Sequence, residues 1–320
     1  MASKDLLTKM FRQMYMIRVF ETQCIKLYRS GDIRGYFHPY LGEEAIAVGV
    51  CSALREKDYI VSTHRGHGHC IARGATVDRM VAELLGKKTG YCRGMGGSMH
   101  IADVDTGNLG ANGIVGGGMA IGVGAALGAS IRGEDRVCVN FFSDGACNSG
   151  VFGECINLAA IKNLPVLFII ENNEYAVTTH ISSSSRDCDL YKRAAAYCVT
   201  ASQVDGNDVL AVYAEASKAV EQCRKGKGPV VIECKTYRHQ GHHVNDPGEY
   251  MAKDRVKYFK EQHDPVLMTR GLLAEKLGEA QVKAIEAEVD REMEKAIAFA
   301  KESPEPDLQE FIAETAEKYN

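Results

Sequence analysis

Arg136-Val-Cys-Val-Asn-Phe-Phe142, running into Ser143-Asp-Gly-Ala-Cys-Asn-Ser-Gly150, reads as a buried strand that ends in a polar turn. The pattern returns one helix later. Phe152, Cys155, Leu158, Ala159 and Ile161 share one side of the intervening helix, and Pro165-Val-Leu-Phe-Ile-Ile170 then runs into Glu171-Asn-Asn-Glu-Tyr175. Strand, helix and strand in this order make a βαβ unit, whose right-handed crossover keeps the strands parallel and turns both polar tips toward one crevice. Asp144 and Asn173 lie just past those tips. A carboxylate and a carboxamide oxygen beside a helix amino terminus form part of a cage for a hard divalent cation that also grips a phosphate. Magnesium suits such a cage, because it draws its remaining oxygens from water and from a phosphorylated partner. The local alternative is that Asp144 caps the helix and Asn173 makes a turn.

Outward from this unit, Leu6, Leu7, Met10, Met14, Ile17, Phe20, Cys24 and Leu27 recur at helical spacing. They predict an N-terminal helix within residues 1–30 that stops near Gly31, with Arg12 and Arg18 off its apolar stripe. Asp58-Tyr-Ile-Val-Ser62 and Pro229-Val-Val-Ile-Glu-Cys234 are further strand-like runs. Helical stretches separate them. The pattern predicts an α/β fold, an open, mostly parallel sheet flanked by helices, with helical N- and C-terminal extensions. The C-terminal extension spans 264–320, with a long helix from Ala280 to Lys301 that Pro304 and Pro306 end. Residues 1–320 are expected to form a single domain.

A net charge of −4 offers no electrostatic case for nucleic acid or an anionic membrane surface. No run reaches the ~18 to 20 apolar residues of a membrane span, and the amino terminus has no uninterrupted apolar leader. The eleven cysteines are odd in number, scattered and free of Cys-x-x-Cys pairs, so they read as reduced thiols in a cytoplasmic protein.

Glycines crowd the stretch from Gly90 to Gly128, where backbone amides can approach a ligand without Cβ interference. Gly122-Val-Gly124-Ala-Ala-Leu-Gly128 has the wrong spacing for a dinucleotide turn and reads as helix packing, and the acid that a nicotinamide oxidoreductase needs for the ribose is missing. Ile114 and Val115 read, as residue types, as ordinary core. His64, His67 and His69 surround Arg65 at the tip of the Ile60-Val61 strand, and His239, His242 and His243 follow the Val230–Cys234 run. Zinc is disfavoured there, with no His-Glu-x-x-His helix and with Arg65 repelling a cation. Arg65 suits a phosphate, and imidazoles beside a carbon acid suit proton transfer near neutral pH. His67, His69, His100 and His180 read equally well as structural or solvent-facing.

Several ordered motifs add to these residues: Gly42-Glu-Glu-Ala45, Thr63-His-Arg-Gly-His-Gly-His69, Gly96-Gly-Ser-Met-His-Ile-Ala-Asp103, Gly110-Ala-Asn-Gly-Ile-Val-Gly116, the Asp144 and Asn173 pair, and Tyr237-Arg238 followed by Gly241-His242. From about Phe11 to about Leu308 the chain resembles the alpha subunits of the two-subunit 2-oxo acid dehydrogenase first components, and within them the acetoin dehydrogenases. One position departs from the family pattern: Ser143 stands where the thiamine-diphosphate motif begins with glycine.

The resemblance implies a thiamine-diphosphate-binding fold with two cofactors, thiamine diphosphate and Mg2+. It implies Asp144, Asn173 and the backbone carbonyl of Tyr175 as metal ligands, and the Gly145 and Ala146 amides as holders of a phosphate oxygen. His64 and Arg65 would touch the diphosphate end. Gly113 would give backbone contacts to the aminopyrimidine ring, and Val115 would be the wedge under a bent cofactor. His242 would reach the reaction centre, and His38, in Gly35-Tyr-Phe-His38, would line the substrate entrance. The glutamate that activates the cofactor has no candidate in this chain, and in this family the beta subunit provides it. An α2β2 heterotetramer is therefore implied, acting on acetoin and passing an acetyl unit to a lipoyl acyltransferase. The alternatives are pyruvate or another 2-oxo acid as substrate, and a non-catalytic scaffold subunit.

Overall fold

The computed structural model describes residues 3–319. Its strands are β1 (Tyr59–Val61), β2 (Cys138–Ser143), β3 (Val166–Asn172), β4 (Tyr175–Ala176), β5 (Thr179–His180), β6 (Thr200–Asp205) and β7 (Val230–Lys235). Five of them form one fully parallel sheet in the order β1-β2-β3-β7-β6, while β4 and β5 make a small antiparallel ribbon. Register decides where the site lies. Ser143 pairs with Glu171, and Asn172 pairs with Lys235, so β2, β3 and β7 finish side by side. Their polar tips share one edge, as expected of an open parallel sheet with its crevice beyond the carboxyl ends.

Alternation along each strand sends side chains to two cores. Val139, Phe141, Leu167, Ile169 and Ile232 pack with helices α1 (Lys4–Arg29) and α2 (Glu44–Ser52) and with helix Val209–Arg224. Between them in sequence, Cys138, Phe142, Phe168, Ile170 and Val231 pack toward α5 (Gly117–Ile131) and α6 (Gly150–Ile161) on the other face. Helices α3 (His67–Arg73) and α4 (Val77–Leu84) follow β1. The Gly122–Gly128 run lies inside α5, as its spacing implies, and a Cβ at Gly122 would come within 2.3 Å of the Asn140 side chain on β2.

The N-terminal helix covers Lys4–Arg29, and Gly31 follows it at φ 85°. The long C-terminal helix runs from Glu279 to Glu302, one residue beyond the expected span at each end. Arg18 joins the two extensions to the core, its Nε 2.6 Å from Glu44 and its Nη1 2.8 Å from Asp264. Residues 1, 2 and 320 of the expected span lie outside the described residues. All eleven cysteines are unpaired, and no described helix is long and apolar enough to cross a membrane.

Candidate active site

Four strand tips and two loops converge on one cleft. The outer edge of β1 is covered by a segment that donates from Leu109 N to Ile60 O at 2.9 Å and accepts from Ser62 N at Gly110 O, 3.0 Å away. This pairing carries Gly110–Gly116 to the tip of β1. There Asn112 Oδ1 accepts from Ile114 N at 2.9 Å, a local turn that folds the next residues outward. Ile114 and Val115 are 76% and 54% exposed, so the reading of this pair as core is overturned: the turn presents apolar side chains at the site instead.

His38, His64, Arg65, Gly113, Val115, Gly145, Asn173, Tyr175 and His242 all line the cleft, although they come from six separate stretches of chain. Asp144 is buried, and Ala146 borders an adjoining cavity shared with His64, Val115 and Ser143. The cleft encloses about 140 Å³, below the roughly 300–1,000 Å³ of a complete small-molecule pocket.

Asp144 Oδ1 is buried without a partner, and burial pushes the carboxyl up to about 6. An orphaned buried carboxyl is costly, and an approaching cation would remove that cost. Asn173 lies past the neighbouring tip, its Oδ1 accepting from Tyr175 N at 3.4 Å and its Nδ2 donating to Glu43 Oε1 at 3.1 Å. Carboxylate, carboxamide and backbone oxygens suit a hard cation such as magnesium. A Cβ on Gly145 would lie 2.7 Å from that of Ala176, so only glycine lets the β4–β5 ribbon close over the Asp144 turn. Ser143 has φ −89° and ψ 170°, an extended conformation open to any residue, and its departure from the motif costs no backbone strain. Val177 is different. A β-branched residue at φ 54°, it holds its carbonyl 2.9 Å from Arg238 Nη2.

Across the cleft three imidazoles meet: His38 lies 4.9 Å from His64 and 4.8 Å from His242, measured between ring centroids. Their ligand nitrogens lie within 4.8 Å of one another, close enough to share a metal ion, while the Arg65 and Arg238 charges beside them oppose a cation. Burial, then the Arg65 charge, lowers His38 to about 2 and His64 and His242 to about 3. All three are neutral at pH 7. Arg238 Nη1 is 3.1 Å from His242 Nδ1; a guanidinium only donates, so Nδ1 accepts and the ring proton sits on Nε2. Arg65 donates to Pro39 O at 2.5 Å and His242 O at 3.1 Å, tying three loops together.

Two of the other histidines are built into buried hydrogen-bond bridges. His67 bridges Glu21 and Ser98 at 2.9 and 3.0 Å, and His69 bridges Ser62 and Glu171 at 2.8 and 2.9 Å, all buried. His100 is exposed, and His180 caps the turn beginning at Ile181. Reasoning from sequence assigned no role to Glu43, Glu171 or Arg238, although each lines the cleft and falls in a quoted motif or strand tip. Burial pushes Glu43 up to about 8, with Glu171 adding to the shift.

Residues 12–309 match the family described as dehydrogenase E1 component. The chain is 46% identical over 310 residues to the alpha subunit of acetoin:2,6-dichlorophenolindophenol oxidoreductase from Bacillus subtilis, covering 97% of this chain and 93% of that one. The corresponding Cupriavidus necator subunit is 40% identical over 318 residues, covering 99% and 96%. The pyruvate dehydrogenase E1 component subunit alpha of Rhizobium meliloti is 40% identical over 314 residues, covering 98% and 90%. With its cleft at the carboxyl ends of a parallel sheet, the chain belongs to the dehydrogenase E1 component family, among the alpha subunits of thiamine-diphosphate-dependent acetoin and 2-oxo acid dehydrogenases.

Proposed function

We propose that this subunit acts on acetoin, holding magnesium and the diphosphate of the cofactor on one wall of a cleft that a beta subunit completes. The observation that carries the proposal is the unpartnered, buried Asp144 carboxyl, set between the cleft-lining Ser143 and Gly145, together with Asn173 and a trio of neutral imidazoles lining the same cleft. When bound, thiamine diphosphate supplies a nucleophilic carbon and an electron sink. Asp144, Asn173 and the Tyr175 carbonyl hold the metal, and the Gly145 and Ala146 amides hold a phosphate oxygen. His64 and Arg65 attend the diphosphate. The Gly113 backbone and the exposed Val115 side chain orient the ring system. His242, carrying its proton on Nε2, donates a hydrogen bond from that nitrogen to the substrate oxygen, and His38 lines the entrance.

Two features favour a neutral substrate. Arg65 and Arg238 are the cations with which this chain lines the cleft; Arg65 attends the diphosphate and Arg238 is engaged by His242, the Val177 carbonyl and Tyr250, leaving neither of them free for a substrate carboxylate. Three uncharged imidazoles remain, suited to the carbonyl and hydroxyl of an acyloin. The acetyl unit would pass to a lipoyl acyltransferase, within an α2β2 assembly in the cytoplasm, where surface thiols such as Cys198 stay reduced. Steady-state assays of the complex reconstituted with its beta subunit test the substrate: kcat/KM is expected to be higher for acetoin than for pyruvate, and the reverse order would replace acetoin by a 2-oxo acid.

A further inference from the structure

Glu43 is a buried carboxyl that none of these roles uses. It precedes α2, following Gly42 at φ 97°, where a Cβ would come within 2.6 Å of both the Tyr237 carbonyl and the His239 ring. Thr236 Oγ1 donates to the Gly42 carbonyl at 3.0 Å, fastening this turn to the end of β7. The turn is thereby pinned, and it delivers the Glu43 side chain, 1% exposed, into the cleft wall. Oε1 accepts from Asn173 Nδ2 at 3.1 Å and lies 3.8 Å from Arg65 Nε. Oε2 is buried with no partner.

The two ends of the Asn173 carboxamide are thus told apart by their neighbours. Its NH2 faces an acceptor on Glu43, and its oxygen faces the Tyr175 N–H. Oε1 lies between the Asn173 NH2 and the Arg65 guanidinium, two donors, so it stays an acceptor and an acid proton sits on Oε2; a flipped amide would set oxygen against this acceptor and NH2 against a backbone donor, losing both contacts. We propose that Glu43 is a positioning residue that orients the Asn173 carboxamide, so that its oxygen is presented to the divalent cation. Supporting groups of this kind typically change metal affinity 10–100-fold when removed.

The inference rests on the assignment of Asn173 as a metal ligand, and its test separates the two. Manganese binding to the reconstituted complex, with thiamine diphosphate present, is followed by electron paramagnetic resonance for the unaltered protein and for Glu43→Gln, Glu43→Leu, Asn173→Ala and Glu43→Leu/Asn173→Ala. Circular dichroism checks each fold. Glutamine keeps an acceptor at Oε1 and is expected to hold manganese within about threefold of the unaltered affinity, whereas leucine weakens binding roughly 10–100-fold. In the Asn173→Ala background the leucine substitution should have no further effect, because its target is gone. Folded Glu43→Leu with unaltered affinity, or an equal loss with and without Asn173, overturns the positioning role. An Asn173→Ala complex that binds manganese normally overturns the ligand assignment itself, and with it this inference.

Discussion

Arg238 donates to His242 Nδ1 with one arm, while its other arm reaches Val177 O at 2.9 Å and Tyr250 Oη at 3.1 Å. Tyr250 Oη in turn donates to Asp246 at 2.7 Å, and Asp246 also accepts from His242 N. The imidazole therefore has a fixed tautomer and a cation beside it. Arg238→Met releases both constraints. The turnover of the reconstituted enzyme is expected to fall roughly 10²-fold, the lower range for general acid–base assistance. With one positive neighbour removed, the pKa of His242 moves back up toward 6.5, so the acidic limb of the pH–rate profile should shift to higher pH. An unmoved limb in a folded variant would remove His242 from its role at the substrate oxygen. The same three imidazoles set a stability trend. In the folded chain they stay neutral down to about pH 3, but unfolded histidine takes up protons from about pH 6.5 downward. Between those limits the unfolded state binds more protons, so stability falls as pH falls. Thermal denaturation at pH 7.5 and 5 should show a smaller difference for His38→Gln than for the unaltered chain.

Glycines within helices divide by what surrounds them. Gly122 in α5 meets the Asn140 side chain, and Gly271, in helix Pro265–Leu277, meets nothing within 4 Å. Gly122→Ala should therefore destabilise by about 1–3 kcal/mol through overpacking, while Gly271→Ala should stabilise by roughly 0.5–1 kcal/mol; chemical denaturation of the two variants checks the opposite signs. The legible elements were those with a strong apolar signature. β1, β2, β3 and β7 are runs of Val, Ile, Phe and Leu, and α1 keeps one face apolar over 26 residues. β6 escaped because Thr-Ala-Ser-Gln-Val-Asp is a largely exposed edge strand that takes its register from β7 rather than from a hydrophobic run. The two-residue strands of the β4–β5 ribbon are too short for any period to show. The cleft residues were legible through motif order. Glu43 and Arg238 gained no role there, because each acts through contacts between distant strand tips, which spacing along one segment does not contain.

At the scale of the molecule, every residue expected from sequence at the site lies in or directly against one cleft, yet that cleft encloses about 140 Å³. A cofactor held on one wall would stay wet, and the proposal draws the group that activates it from the beta subunit. The central claim is that this chain supplies the metal and diphosphate wall of a shared active site. The measurement that tests it most directly is acetoin-dependent reduction of an artificial electron acceptor by three preparations: the chain alone, the chain with its beta subunit, and the Asp144→Ala chain with the same beta subunit. The account predicts turnover in the second only, with the Asp144→Ala chain folded and assembled as the unaltered one is. Robust turnover by the chain alone, or by the complex lacking the Asp144 carboxylate, would contradict it.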